Sequence, residues 1–256
     1  MKHKFVLATA VAVILLAAAA AAGLNAVFSV TAVRVEVTAF SSAAKQDALA
    51  LQEDVNAFVG ASTVFLDTEE VRAAAERYPY FCVEAVEKQY PQTVVLTVRE
   101  REERFAVPAE GGYRIYDAEG FLLGTRTENA SRIDGAPDIL LNGLTAEDEQ
   151  FFYALDVAAA IDGAIGDVRM NLASIALNAP TSDRADDYFL LRMSEGVEVC
   201  LYEPSDAAAE KAALAMEKYA SLFDEDRMFG RIVVLRDASS GELTATYTPR
   251  DLGTNA

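Results

Sequence analysis

From Ser29 to Thr38 the chain reads SVTAVRVEVT, with Val33, Val35 and Val37 alternating with Arg34 and Glu36. A repeat of two places the valines on one face, which predicts a half-buried strand. Ala48, Leu51, Val55, Phe58 and Val59 then recur at helical spacing, and Gly60 offers a helix stop. The stretch between these elements, Thr38 to Lys45, is expected to form a loop. A short apolar run, Val64 to Leu66, leads into a second helix. Asp67 can cap its free amides, Glu70 can reach back, and Leu66 and Val71 are spaced for a hydrophobic staple. Val71, Ala74, Ala75 and Tyr78 form its apolar face, and Pro79 stops it. Two strands follow, Phe81 to Tyr90 and Thr93 to Glu100, joined across Pro91 and Gln92. The order is β-α-α-β-β. Two helices on one face of a three-stranded sheet share a core large enough for a small domain.

The second half alternates strands and helices again. Tyr113 to Leu123 reads as a hairpin, with Asp117 and Gly120 supplying the turn. Residues 125–138 are polar and read as a loop. Thr145 is a candidate cap for a helix carrying Phe151, Leu155, Ala158 and Ala159. Strands are expected at Ile175 to Asn178, Tyr188 to Met193 and Val197 to Tyr202, the last two joined at Ser194-Glu195-Gly196. Ser205 is the expected cap of another helix, in which Ala212, Met216, Tyr219 and Phe223 share a stripe. Two closing strands, Gly230 to Arg236 and Glu242 to Thr248, flank a turn from Asp237 to Gly241.

The N-terminus has a different texture. Lys2, His3 and Lys4 precede Phe5, and the next charged residue is Arg34. About 20 apolar residues cross a bilayer, so Phe5 to Val27 predicts a transmembrane anchor. The lysines place its start in the cytoplasm and the bulk of the chain outside. A cleaved signal peptide is the rival reading, with Phe5 to Leu16 as its apolar part and Ala17 to Ala22 as its cleavage region. Apolar character continues through Leu24, Val27 and Phe28, which favours the anchor.

Composition narrows the function classes. The overall 52% hydrophobic content is inflated by that one block, and the net charge is -18. An acidic exterior repels phosphate backbones, which argues against nucleic acid as a partner. Cys82 and Cys200 make no disulfide framework and no metal motif, and read as buried free thiols. His3 is the single histidine, so no exported serine or cysteine has a histidine base beside it. Paired carboxylates, Asp117 with Glu119 or Glu100 with Glu103, are the remaining enzymatic option, as acid and base for glycan cleavage. Asp117 reads better as a turn residue, and the Glu100 group as structural or solvated. No catalytic residue, cofactor, metal site or small-molecule substrate is suggested.

Several runs carry a resemblance. Phe28-Ser-Val-x-x-Val33-x-Val35 and Thr63-Val-Phe65-Leu-Asp67 are followed by Val86-x-Lys88-x-Tyr90-Pro91-x-Thr93-Val-Val95-Leu-x-Val98-x-Glu100-Arg101. Tyr113-x-Ile-Tyr116-Asp117-x-x-Gly120 comes after them. Taken in order, these runs resemble the FtsQ/DivIB family of bacterial cell-division proteins. The family's glycine after the first strand has no counterpart in Thr38-Ala-Phe-Ser-Ser-Ala. The resemblance implies an α+β protein with an N-terminal transmembrane helix, a POTRA domain and a mixed-sheet β domain with two helices. The expected layout is a cytoplasmic tail at 1–4, the anchor at 5–27, the POTRA domain at 28–103, the β domain at 104–249 and a disordered tail at 250–256.

It also implies a non-catalytic scaffold at the division septum, where the chain joins FtsL-type and FtsB/DivIC-type single-pass proteins and helps regulate peptidoglycan synthesis. A strand at a sheet edge can accept a partner segment through its free amides and carbonyls. By analogy with the family, the expected partner-binding residues are Leu243, Thr244, Ala245, Thr246 and Tyr247, with Met216 and Tyr219 on the neighbouring helix. Packing in the core is the plainer expectation for Phe223. The alternative is a POTRA-containing module that guides polypeptides in secretion or outer-membrane assembly.

Overall fold

The computed structural model describes residues 13–16, 18–19, 22–24, 26–179 and 186–249. The chain is α+β and divides into two compact units, Met1–Arg101 and Glu102–Ala256.

In the first unit β1 (Ala32–Thr38) leads to α1 (Ser42–Val55), α2 (Thr68–Ala75), β2 (Phe81–Gln89) and β3 (Thr93–Glu100). The sheet order is β1-β3-β2, with β1 parallel and β2 antiparallel to the central β3. Val33 on β1 and Val94, Leu96 and Val98 on β3 join Leu51, Val55, Val71 and Ala75 of the helices in one buried cluster. Each buried valine or leucine among them contributes roughly 1.5–3 kcal/mol by leaving water. The second helix starts as the sequence predicts: the Asp67 carboxylate accepts from the Glu69 amide at 3.0 Å, and Leu66 and Val71 are both buried.

The first helix starts earlier than its apolar spacing suggests. Ser41 caps it, its hydroxyl accepting from the Ala44 amide at 3.0 Å, so Ser42 to Lys45 is helix and not loop. The reason lies far along the chain. The buried Glu100 carboxylate accepts from the Phe40 and Ser41 amides at 2.7 and 2.8 Å and from the Ser41 hydroxyl at 2.5 Å. A carboxylate carrying three such bonds fixes the helix start without the usual glycine turn. At its far end α1 passes into a 3-10 turn, Asn56–Phe58, which extends the apolar spacing beyond the helix proper.

Among its described residues the second unit holds a nine-stranded sheet. Its strands are β4 (Phe105–Ala109), β5 (Gly112–Tyr116), β6 (Leu122–Arg126), β7 (Ile139–Asn142), β8 (Leu172–Asn178), β9 (Tyr188–Met193), β10 (Glu198–Tyr202), β11 (Arg231–Arg236) and β12 (Leu243–Thr248). The order across it is β12-β11-β10-β9-β8-β7-β4-β5-β6. Three pairs are parallel, β10 with β11, β7 with β8 and β4 with β7. The helices α3 (Glu149–Ile165) and α5 (Ala208–Ala220) make the crossovers into β8 and β11, and they pack against each other. Short α4 (Val168–Asn171) and α6 (Asp224–Arg227) follow them.

Two helix starts differ from expectation. Thr145 is not the cap of α3: its hydroxyl bonds the Asp148 carboxylate at 2.6 Å in the preceding turn, and Asp148 takes the cap position. Ser205 likewise stands short of α5, whose cap position is Ala207 in a left-handed conformation at φ 56°.

The transmembrane helix is the larger correction. Among the described residues no helix is long and apolar enough to cross a membrane, so the expected N-terminal anchor is not seen. The longest described helix, α3, has 17 residues and spans about 26 Å, short of the ~30 Å hydrocarbon core, and it carries Glu149, Asp156 and Asp162. Much of Phe5 to Val27 lies outside the described residues, as do the expected tails at 1–4 and 250–256.

Candidate docking surface

Among the described residues the sheet of the second unit ends at β12, which pairs there with β11 alone. Its side chains alternate, with Leu243, Ala245 and Tyr247 half-buried and Thr244, Thr246 and Thr248 exposed. Ala245 and Tyr247 pack against the buried cluster that includes Ala212, Ala215 and Met216 of α5. The turn fixes which main-chain groups face away from β11. The Asp237 amide donates to Glu242 O at 2.8 Å, which sets the phase of the ladder. In an antiparallel pair hydrogen-bonded and non-hydrogen-bonded positions alternate. Leu235–Thr244, Val233–Thr246 and Arg231–Thr248 therefore exchange both bonds, and the amides and carbonyls of Leu243, Ala245 and Tyr247 point to the open edge.

Neither a charged residue nor a proline, the common protections of an edge, occurs between Leu243 and Thr248. At the far end of the strand lies a cleft of about 460 Å³ lined by Gly196, Glu198, Met228, Phe229, Thr248 and Pro249. Met228 and Phe229 are partly exposed there. Phe223, expected in the core, is 82% exposed. The cause is the helix end: α5 stops at Ala220, so the apolar stripe does not extend to Phe223, which stands at the start of α6.

The other predicted contact residues face inward. Met216 and Tyr219 are buried under the sheet, at 1% and 5% exposure, and present little to a partner. The Tyr219 hydroxyl donates to Glu195 at 2.5 Å, and the Arg227 guanidinium lies 5.2 Å from its ring centre. Burial first, and then the hydrogen bond to Glu195 and its charge, push this phenol well above its usual range. Tyr247 also serves the fold. Its hydroxyl lies 2.7 Å from Phe229 O and 3.0 Å from Asp226 O, and its ring fills the space beside Gly230. A Cβ on Gly230, at φ +116°, would sit 2.6 Å from that ring.

One group of residues beneath the edge is invisible to periodicity. Lys211 is fully buried, and its ammonium donates to Tyr202 O and Glu203 O at 2.9 Å each and to Asp206 at 3.3 Å. Asp206 in turn receives both nitrogens of an Arg236 fork at 2.8 and 3.2 Å, and Arg236 also donates to Gly241 O at 2.7 Å. Arg236 foremost, and Lys211 after it, hold the Asp206 carboxyl below the usual range. A continuous polar chain thus runs from the end of β10 to the turn that carries β12. Its only signal in the sequence is a lysine standing on the apolar stripe of α5.

The paired carboxylates have other partners. Glu100 holds the start of α1, as described. Glu103 is buried against the Arg126 guanidinium and accepts from the Arg132 amide at 2.7 Å. Asp117 is a turn residue, accepting from the Glu119 and Phe121 amides at 3.1 and 2.7 Å. Both cysteines are free thiols, Cys200 buried and Cys82 half-buried. No family model matches the chain, and no curated protein matches it.

Proposed function

We propose that this protein is a non-catalytic scaffold of bacterial cell division that accepts an extended segment of an FtsB/DivIC-type partner along β12 and also engages an FtsL-type protein. The scaffold works outside the cytoplasmic membrane, at the septum, and regulates peptidoglycan synthesis through contacts. One observation carries the reading. A nine-stranded sheet ends on an uncharged strand whose alternate main-chain groups, at Leu243, Ala245 and Tyr247, are turned away from the sheet. An added strand would gain its affinity from those groups and its specificity from the cleft beside Met228 and Phe229. The runs that resemble the FtsQ/DivIB family supply the identity of the partner.

The test uses the full chain and synthetic segments of the FtsB/DivIC-type protein from the same cell. Ala245→Pro removes an outward amide while leaving the ladder to β11 in place, because Ala245 sits at a non-hydrogen-bonded position. Wild-type binding in the micromolar range or tighter, lost in a folded Ala245→Pro chain, is the expected result. Tyr247→Asp is a poorer test, since it also removes the hydroxyl that ties β12 to Asp226 and Phe229. Binding unchanged by Ala245→Pro would move the contact off this edge. Absence of binding by the wild type would overturn the scaffold reading.

A further inference from the structure

In the first unit, β1 is also an outermost strand, yet its edge is occupied. The Gln52 side chain, from α1, lies along it. Its carboxamide oxygen accepts from the Val35 amide at 3.1 Å, and its nitrogen donates to Val33 O at 2.8 Å. These are the two bonds that one residue of a parallel neighbouring strand would make. The second amide proton goes to Asn56 at 3.1 Å, so the carboxamide is fixed from behind. Just upstream, main chain closes the same segment: Gly60 N donates to Val30 O and Val30 N to Ala61 O, both at 2.8 Å.

The edge so covered is complementary to itself. Gln52 marks Val33 and Val35 as residues whose main chain points outward, and the repeat of two adds Val37. Consider a second β1 laid antiparallel, with a two-fold axis at Val35. Val35 then meets its own copy, and Val33 meets Val37, all at positions able to exchange both hydrogen bonds. Arg34 falls opposite Glu36 of the copy, twice over, at the non-hydrogen-bonded positions where side chains approach most closely. Both residues are exposed on the strand. A two-fold contact of this kind uses one patch on both molecules and closes at the dimer.

We propose that Gln52 closes a self-complementary strand edge, and that β1 freed of its carboxamide pairs antiparallel with β1 of a second copy of this chain through two reciprocal Arg34–Glu36 contacts. The glutamine stands where an added strand would stand, and so reserves strand addition for other edges of the protein.

Sedimentation of the full chain over a concentration series tests this, with every variant read against the wild type in the same buffer. Gln52→Ala is expected to strengthen self-association at least tenfold. Gln52→Met, which keeps side-chain length but cannot bond the main chain, is expected to do the same. Adding Arg34→Glu to either should return association to the wild-type level by placing like charges opposite each other. Adding Glu36→Arg as well should restore the dimer with the charges exchanged. Folded Gln52 variants that associate no more than wild type would overturn the proposal, as would a dimer indifferent to Arg34→Glu. Loss of fold in both Gln52 variants would overturn it too, because the carboxamide would then hold the unit together instead of guarding its edge.

Discussion

The strands β1 and β12 each end a sheet, and each alternates inward-facing with exposed residues, yet among the described residues one edge is closed and the other open. Strand composition would rank them the other way for accessibility to a charged partner, since β1 displays Arg34 and Glu36 while β12 displays only threonines. What separates them lies outside the strands. A helix passes near enough to β1 for Gln52 to take its outward bonds, whereas α5 packs beneath β12 and meets it through Ala245 and Tyr247. Availability of an edge is therefore a property of its neighbours. An unpaired strand acts as a docking site only where no local side chain already satisfies it.

Three further perturbations probe that contrast. The largest effect is expected from Glu100→Ala, which leaves the Phe40 and Ser41 amides unpaired in a buried site. A loss of about 3 kcal/mol is anticipated. In hydrogen exchange the loss should be confined to the first unit. The Val35 amide should become labile with it, because the helix that carries Gln52 loses its fixed start. Protection retained at Val35 would show that Gln52 is positioned independently of the cap. Next comes Lys211→Met on the open side. It deprives Tyr202 O and Glu203 O of their donor while preserving volume, at a cost of about 2 kcal/mol. Denaturant unfolding should report that cost, and exchange should quicken along β11 and β12 while β1 is unaffected. Equal loss in both units would contradict a local role.

The smallest effect is one of pH, in the turn that carries β12. Asp237 accepts from the amides of Ser239 and Ser240 and from both their hydroxyls, and these bonds, the Ser239 hydroxyl first, lower its pKa to about 2. A carboxyl lowered on folding contributes stability above its unfolded value, near 4, and that contribution disappears as pH falls through about 2. Protection of the Ser239 and Ser240 amides, taken relative to their intrinsic exchange rates, should therefore fall between those values. In Asp237→Asn this acid dependence should vanish.

Much of this arrangement is legible in the sequence because it is written in local periodicity. The valines of β1, the cap at Asp67 and the alternation of β12 each need only neighbouring residues. Strands β4 and β7 are not announced, since both are short, and a Pro at position 108 speaks against a strand at Phe105–Ala109. That proline lies near the end of β4, where the sheet tolerates it. Phe223 shows the opposite error: a stripe extrapolated past the end of its helix assigns a core place to one of the most exposed aromatic residues. The features that decide edge availability were the least readable. Gln52 acts on residues 17 and 19 positions away, and Arg236 on one 30 away. Neither residue type announces such contacts, which exist only once helix and sheet have met.

The bond from Glu100 back to Ser41 has a consequence in time. The two residues stand 59 apart, so on a growing chain the first helix is synthesised long before the carboxylate that anchors it. At ordinary rates of about 5–20 residues per second, that interval is roughly 3–12 s. Until then α1 lacks its anchored start, and a helix of 14 residues is marginal without tertiary support. Gln52 therefore has no fixed position from which to cover β1 until β3 has been made. The same strand that β1 pairs with delivers, at its last residue, the group that sets the guard on its other side.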